Sequence, residues 1–439
     1  MVKNPVKVYS KYILPAIGGM MGTSLYVLGD TMLVGRRLGT DGLASLNISI
    51  PMINVLTGLG LILGMGGASL MSIHMARGER ESGNKLFTRS MIMSVITGLI
   101  LFILSLFFVQ NLVNFLGKGS ENLDMAFQYL SMLMLFSPFF ILFISLTVFV
   151  RNDGGSKIAM AAMLSASIFN VIMDYVFLFP LDMGMRGCAL ATGLAQVVGF
   201  GILMIHFISK KAEIKLVKMS QLGDTMEVLM NGVASFVLEL SQGIVIFAFN
   251  FAFLRLAGDI AVSAYGIVAN LSLLFTAVLA GVANGIQPLI SRAFGKGRPD
   301  MKKYYGKLAG IGALVLGFMI LFMGQVIPKL LAMLFVENEP ELIERAVIGI
   351  RIYFMAFPLT GLNLVITIYL QSQKRAMEAF IISMMRGFVW IIVLLFVLSN
   401  TLGINGVWMV KPTAELLTLI AGVYFVRQRS ISSFESVKV

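Results

Sequence analysis

The sequence predicts an all-α membrane protein with twelve transmembrane helices, arranged as two pseudo-symmetric six-helix lobes around a central cavity. Three observations predict this fold: the hydrophobic content, the length of the apolar segments and an internal repeat. Of the 439 residues, 58% are hydrophobic and only 13% are charged, and the mean hydropathy is +0.89. A soluble domain of this size cannot bury so much apolar surface, so we expect the chain to lie in lipid.

The apolar residues form segments that are each long enough to cross about 30 Å of hydrocarbon as a helix. They do not alternate as the strands of a membrane barrel would. The first segment is too long for the apolar part of a signal peptide and is expected to remain as a helix. The predicted segments, called spans 1 to 12 below, are 12–35, 45–75, 90–116, 124–150, 158–180, 187–208, 227–254, 261–291, 306–334, 346–370, 377–399 and 404–426.

The distribution of positive charge predicts the orientation of the chain. With the N-terminus in the cytoplasm, most of the 34 Lys and Arg residues fall in cytoplasmic segments, as the positive-inside rule requires. Both termini are then cytoplasmic, and the net charge of +12 is explained by topology rather than by nucleic-acid binding. The one cysteine, Cys188, excludes internal disulfides and any cysteine-based metal cluster.

The two halves of the chain match at one offset of 219 residues, the separation of Gly39 and Gly258. The segment MGMRG at 183–187 matches LGING at 402–406 at the same offset. Because this offset contains six helices, the two copies have the same orientation in the membrane, and a cavity between them allows alternating access. The predicted domains are an N-lobe (1–208), a cytoplasmic linker (209–226) and a C-lobe (227–439).

Acidic residues within the spans predict an ion-driven transporter, because a buried carboxylate costs about 2.5–3.5 kcal/mol on insertion scales and is rarely kept without a use. Asn170 and Asp174 lie four residues apart and share a helix face. Asp30 in span 1 and Thr192 in span 6 complete an oxygen-rich cluster if spans 1, 5 and 6 meet. We predict a proton or cation site there. The alternative is a hydrogen-bonded clamp between helices around a protonated acid.

The second lobe does not repeat these acids, since Asp30 aligns with Phe249 at the repeat offset. Glu239 in span 7 is predicted to bind a cationic substrate or a second proton, or else to be the counter-ion of Lys411 or Arg386. Lys411 and Glu415 are four residues apart, and we predict a structural ion pair between them. A substrate-binding role for this pair is the alternative.

The sequence lacks the motifs of other membrane protein classes. It contains no G-x-x-x-x-G-K-[ST] segment for ATP, and no selectivity-filter motif or arginine ladder of an ion channel. His74 and His206 are isolated near the ends of spans, and no metal role is expected for them. A membrane-embedded enzyme would need a nucleophile and base or a metal facing the cavity, and neither is evident. No cofactor is expected beyond a coupling ion.

Three further motifs stand out in the sequence: Gly-Asp-Thr at 29–31, VRNDGGSKIAM at 150–160, and a pattern in span 2 (LASLNISIP…GMGGASLMSIHMARGE) that recurs in span 8 (VSAYGIVANL…GVANGIQPLISRAFGKG). With these motifs, the whole chain resembles the multidrug and toxic compound extrusion (MATE) family of secondary transporters. The family exchanges an inward flow of protons or sodium ions for the outward movement of bulky, often cationic, drugs. The resemblance implies a monomer in a bacterial plasma membrane that binds small-molecule drugs, such as lipophilic cations, and no nucleic acid.

The resemblance also implies roles for individual residues. The cation site of the family's N-lobe contains an Asp in the first helix, an Asn and an Asp in the fifth and a Thr in the sixth. The matching residues here are Asp30, Asn170, Asp174 and Thr192. Pro15 matches a proline that is implicated in bending of the first helix.

A second cation site and a second function are also considered. Glu239 matches an acid of the seventh helix in some members, which often pair it with an acid in the tenth helix. Span 10 offers only Asn363 and Gln371, so a second cation site is not expected. The alternative function is a flippase for lipid-linked oligosaccharide or peptidoglycan precursors. Such a flippase would be expected to line its cavity with several basic residues.

Overall fold

The computed structural model describes residues 5–117, 123–209, 212–218, 225–336 and 339–435, with side chains as far as residue 428. These residues contain helices and no strand. Besides the α-helices, these residues form a 3-10 turn (Phe354–Ala356) and a π-helix (Met385–Val389). The helices are α1 (Pro5–Ala76), α2 (Arg80–Leu116), α3 (Leu123–Leu135), α4 (Ser137–Asn152), α5 (Ser156–Leu178), α6 (Gly184–Ile208), α7 (Thr225–Gly295), α8 (Pro299–Val326), α9 (Pro328–Met333), α10 (Pro340–Tyr353), α11 (Phe357–Gln371), α12 (Ala376–Met384) and α13 (Trp390–Glu435).

Three of these helices are each interrupted by a glycine in a non-helical conformation. α1 has 72 residues, and a straight helix of that length would extend about 108 Å. Gly39 interrupts α1 with a φ of 63°, Gly258 interrupts the 71-residue α7 with a φ of 71°, and Gly403 interrupts α13 with a φ of 59°. Glycine adopts this conformation without the steric cost that other residues meet. Each of these glycines therefore separates two spans.

The number of spans agrees with the sequence prediction. Within the described residues, eight helical segments have the length and hydropathy of a membrane span, and α3 and α4 form a ninth that is bent by 59°. Three of these nine are divided by the glycines above. The fold is therefore the predicted one of twelve helices in two lobes.

The internal repeat reappears in the backbone conformation. Gly78 and Gly297 both have a positive φ, and so do Gly184 and Gly403, each pair 219 residues apart like Gly39 and Gly258. Close packing repeats as well, because Gly98 lies against Pro138 in the first half and Gly317 lies against Pro358 in the second. The boundaries of the two lobes stay a prediction.

The two lobes make close contact through glycines near one end of the bundle. Gly281 and Gly285 of span 8 pack on Ile17 and Ile13 of span 1, and the order of these contacts shows that the two spans are antiparallel. Spans 2 and 7 pack in the same way through Gly66 and Gly232. Small residues let membrane helices approach this closely.

Buried polar side chains join the lobes at the same end. Asn152 donates to Gln287 Oε1 at 2.9 Å and accepts from Ser72 at 2.9 Å. Arg292 reaches across to the carbonyl oxygen of Asn152 and to the Tyr12 hydroxyl. Since α1 begins at this end, the described hydrogen bonds close the bundle on the side of the N-terminus.

Part of the predicted linker lies against the N-lobe as an extended strap, residues 212–218. The backbone N–H of Glu213 donates to Asp153, that of Lys215 to Asn84 and that of Val217 to Thr88, each at 3.0 Å. The remaining linker positions 210–211 and 219–224 are outside the described residues. The described part of the linker thus packs with the first lobe.

Candidate cation site and C-lobe charged cluster

Span 1 reaches span 5 through a small-residue face. Gly18, Gly19, Gly22 and Gly29 recur at helical spacing, and each lies within contact distance of an α5 side chain. Gly29 meets Val171, which is three residues before Asp174 in α5. The neighbouring Asp30 is therefore held at the level of Asp174. The α5 residues in these contacts are Met160, Met163, Leu164 and Val171.

The four predicted site residues come together inside the N-lobe. Asp30, Asn170, Asp174 and Thr192 are all buried, and Asp174 is 0% exposed. The Asn170 side-chain amide donates to Thr192 Oγ1 at 3.3 Å, which joins spans 5 and 6. One side-chain oxygen of Asp30, one of Asp174 and Cys188 Sγ lie within 4.8 Å of one another.

The cluster contains hydrogen-bond acceptors that have no donor. Both carboxyl oxygens of Asp174 and the Oδ1 atom of Asn170 are buried and make no hydrogen bond. Buried polar atoms in proteins are nearly always paired, so such a group needs an explanation. Three free oxygen acceptors beside a second carboxyl group can accept a proton or ligate a small cation.

The structure adds three residues to this cluster that the sequence reading did not place there. Cys188 donates its thiol hydrogen to Asp30 Oδ1 at 2.8 Å, and Thr192 donates to the carbonyl oxygen of Cys188 at 3.2 Å. Tyr129 of α3 is buried within electrostatic reach of Asp30, Asp174 and Cys188. Tyr26 of span 1 lies within electrostatic reach of Asp30 and Asp174 and also of Glu239 in the other lobe. Cys188 is four residues before Thr192, and Tyr26 four before Asp30, so the helical period alone could have indicated both.

The C-lobe contains a different cluster, centred on Glu415. The fully buried Glu415 carboxylate accepts from Lys411 at 2.9 Å, from Arg386 at 2.8 Å and from the Asn363 amide at 2.7 Å. The predicted pair of Lys411 and Glu415 is therefore present. Arg386, which has no partner nearby in sequence, belongs to the same cluster and lies in the π-helix. Short π-helical segments are frequent at functional sites.

Glu239 is separate from this cluster. Its described hydrogen bond is with Gln242, at 3.2 Å, and its side chain is partly exposed. Arg386 and Lys411 instead both pair with Glu415. Glu239 has no ion pair with a basic side chain among the described residues.

Pro15 is buried, and α1 continues as a helix across it. It lies between Ile13 and Ile17, the two residues that contact span 8. A proline in a helix removes one backbone hydrogen bond, so a bend of span 1 at this point would move the contact between the lobes. This role stays a prediction.

Two parallel six-helix lobes, with a pair of buried acids in the first and close helix contacts near one end of the bundle, are typical of a membrane transporter of the alternating-access type. The family model MatE matches residues 15–176 and 234–401. The chain thus belongs to the MatE family of transporters, as its sequence motifs predicted.

Known proteins are similar over nearly the full length. The multidrug export protein MepA of Staphylococcus saprophyticus is 24% identical over 425 residues, which cover 95% of this chain and 93% of that protein. MepA of Staphylococcus aureus is 26% identical over 435 residues, with coverages of 97% and 95%. A solved structure, described as the outward-facing conformation of a multidrug resistance MATE family transporter, matches in fold with a TM-score of 0.90 and 21% identity, and covers 97% of this chain and 96% of that one.

Proposed function

We propose that this MATE transporter is an antiporter that exports bulky, often cationic, compounds in exchange for protons or sodium ions. One observation carries the proposal: Asp30 and Asp174 are buried together, and Asp174 has two oxygens without a donor. The MepA relatives are named as multidrug export proteins. Their name supports drugs as the substrate class.

In the proposed mechanism, the coupling ion enters from the outside and reaches the N-lobe cluster. Its arrival neutralises Asp30 or Asp174 and changes the relative stability of the two orientations of the lobes. An ion can shift such an equilibrium only by as much as its affinities for the two states differ. Because the coupling is reciprocal, the drug must change the affinity for the ion by the same factor.

The ligands of the cluster suit either coupling ion. Sodium, like other hard cations, prefers oxygen ligands, and the carboxyl groups of Asp30 and Asp174, the amide of Asn170 and the hydroxyl of Thr192 supply them. A proton needs only one of the carboxyl groups. The ligands therefore do not select between sodium and protons, and transport under separate ion gradients distinguishes the two.

We propose that Glu239 attracts the positive charge of the substrate. It is an acid in the middle of span 7, partly exposed, and no basic side chain of the described residues neutralises it. Tyr26 of span 1 lies within electrostatic reach of Glu239 and of Asp174. In this mechanism a cationic substrate is attracted by both acids, and the coupling ion weakens its binding.

The proposed setting is a bacterial plasma membrane with both termini in the cytoplasm, and the protein is proposed to act as a monomer. In that orientation the closed end of the bundle, marked by Asn152 and Gln287, faces the cytoplasm.

The test is transport of ethidium into inverted proteoliposomes, with a proton gradient and a sodium gradient imposed separately. The proposal predicts uptake driven by at least one gradient in the wild type and none in Asp30→Asn. Asp41→Asn is the matched control, since Asp41 is an exposed acid of the same helix α1. Equal uptake by wild type and Asp30→Asn would overturn the proposal.

The flippase alternative is disfavoured by the C-lobe cluster. Its two basic residues, Arg386 and Lys411, are bound to Glu415 and are mostly buried. They are therefore committed to an internal partner rather than to a phosphate group of a lipid. Absence of ethidium transport under either gradient, with transport of a lipid-linked sugar, would reverse this preference.

A further inference from the structure

Cys188 gives the N-lobe cluster a ligand that a site for sodium or protons does not need. Its Sγ atom lies with one carboxyl oxygen of Asp30 and one of Asp174, all within 4.8 Å of one another. We propose that these three side chains bind a thiophilic divalent cation, such as Zn²⁺ or Cd²⁺, which competes with the coupling ion and inhibits transport. The inhibition rests on the proposed function, whereas the binding does not.

The three side chains are of the types that bind zinc in proteins. Zinc binds thiolate sulfur at about 2.3 Å and carboxylate oxygen at about 2.0–2.2 Å, which places neighbouring ligand atoms roughly 3.5 Å apart. The three atoms lie within 4.8 Å of one another, so they are near enough to reach these separations by small movements. They come from three different spans, so small shifts of Asp30, Asp174 or Cys188 can centre them on an ion.

A fourth ligand is available within the same cluster. The Oδ1 atom of Asn170 is buried without a hydrogen-bond partner, and its amide nitrogen is held by Thr192. Asp174, four residues along the same helix, has both oxygens free. These acceptors without hydrogen-bond donors are an observation separate from Cys188, and they also indicate that a cation binds here.

The chemistry selects the kind of ion. One thiol and two carboxyl groups form a mixed sulfur and oxygen site. Such a site differs from a cluster of several cysteines, which a chain with one cysteine cannot form. Soft sulfur ligands favour zinc and similar metals over sodium, magnesium or calcium. On binding, the Cys188 thiol releases its proton to water and the sulfur bonds to the metal, because the thiolate is the ligand.

The charge balance explains inhibition. Two carboxylates and a thiolate in a lipid-buried lobe strongly favour a divalent over a monovalent cation. An ion held by three side chains of spans 1, 5 and 6 would occupy the acids on which the proposed exchange depends. Zinc is therefore expected to raise the sodium or proton concentration needed for half-maximal transport.

The test uses the full-length protein in detergent, without drug or ion gradient. Cadmium chloride is titrated and thiolate-to-cadmium charge-transfer absorption is recorded in the ultraviolet, and zinc affinity is measured by calorimetry. We expect one ion per chain with the absorption band in the wild type. Since Cys188 is the only cysteine, we expect no band in Cys188→Ser or Cys188→Ala, and an affinity for zinc at least ~10-fold lower.

Two further variants make the result specific. Asp174→Asn is expected to weaken zinc binding as well, and His74→Gln, in the last turn of α1 beside Glu79, is expected to leave it unchanged. Monodisperse elution of each variant in size-exclusion chromatography serves as the folding check. No band in the wild type, or equal zinc affinity in wild type and Cys188→Ser, would overturn the proposal. Ion-driven ethidium transport without metal binding would overturn this inference alone, and metal binding without transport would overturn the antiport function alone.

Discussion

The N-lobe and the C-lobe share one fold but place opposite chemistry at corresponding positions. At the repeat offset, Thr192 of the N-lobe cluster corresponds to Lys411, and Asp30 to Phe249. Phe249 is fully buried and stacks on Tyr265, with ring centroids 5.0 Å apart. Where one lobe presents a carboxyl group, the other therefore presents an aromatic core.

The charged residues of the C-lobe also correspond to uncharged residues of the N-lobe. Gln196 aligns with Glu415 and Ser167 with Arg386 at the same offset. The C-lobe cluster contains two cations that share one carboxylate. The N-lobe cluster contains two carboxyl groups, and Asp174 has oxygens without a hydrogen-bond donor. The same scaffold thus carries buried acids without a basic partner in one lobe and a buried ion-paired cluster in the other.

The largest expected effect is on ion coupling in Asp174→Asn. Removing this carboxyl group removes the differential affinity for the ion, and coupling between two sites is typically worth 1–3 kcal/mol. We expect gradient-driven ethidium transport in proteoliposomes to fall by roughly 100-fold. Wild-type dependence on the gradient in this variant would show that the N-lobe cluster does not couple the ion.

The C-lobe cluster is expected to affect stability instead. In Glu415→Gln, Arg386 and Lys411 lose the carboxylate that balances them, and breaking a buried ion pair costs about 3–5 kcal/mol. We expect a lower midpoint of thermal unfolding in detergent. The exposed Glu344→Gln is the matched control. An unchanged midpoint in Glu415→Gln would mean that the cluster has no structural role.

Glu239→Gln tests the proposed contact between Glu239 of the C-lobe and the substrate. Loss of its negative charge is expected to raise the KM for ethidium by about 10-fold, which corresponds to about 1.4 kcal/mol. Transport should keep its dependence on the ion gradient, and KM for an uncharged substrate should be unchanged. If the ion dependence is lost together with affinity, Glu239 would belong to the coupling site.

The smallest expected effect concerns the linker, whose described part contacts the N-lobe. Thr88→Val removes the acceptor for the Val217 N–H group, and a hydrogen bond of this kind contributes about 1 kcal/mol. We expect faster hydrogen exchange in residues 212–218, measured by mass spectrometry, with no change in the C-lobe. Unchanged protection of the strap would contradict this docking.

Several features of the fold were predictable because they depend on local pattern. Apolar length predicted the spans, and the 219-residue offset predicted that Gly39 and Gly258 have equivalent positions, which their φ angles now show. The spacing of Asn170 and Asp174 placed them on one face, and motif resemblance joined them to Asp30. A helical period and a family motif are both properties of short segments.

The remaining parts depend on contacts between distant segments. Arg386 pairs with Glu415, which is 29 residues later in the sequence. Asn152 is hydrogen bonded to Gln287, which is 135 residues later. Hydropathy indicates that such a residue is buried but does not identify its partner. The helical period places Cys188 on the same face as Thr192, but its hydrogen bond with Asp30 depends on a contact with another span.

Drug-driven ion movement is the most direct test of an exchange that depends on Asp174 and not on the C-lobe. Proteoliposomes without an imposed ion gradient would receive an ethidium gradient, and dyes sensitive to protons and to sodium would report ion movement. In the wild type, we expect one of the two ions to move opposite to the drug. We expect the same movement in Glu239→Gln at saturating ethidium. In Asp174→Asn we expect no ion movement. Ethidium transport by the wild type without movement of either ion, or equal ion movement in Asp174→Asn, would contradict antiport through the N-lobe.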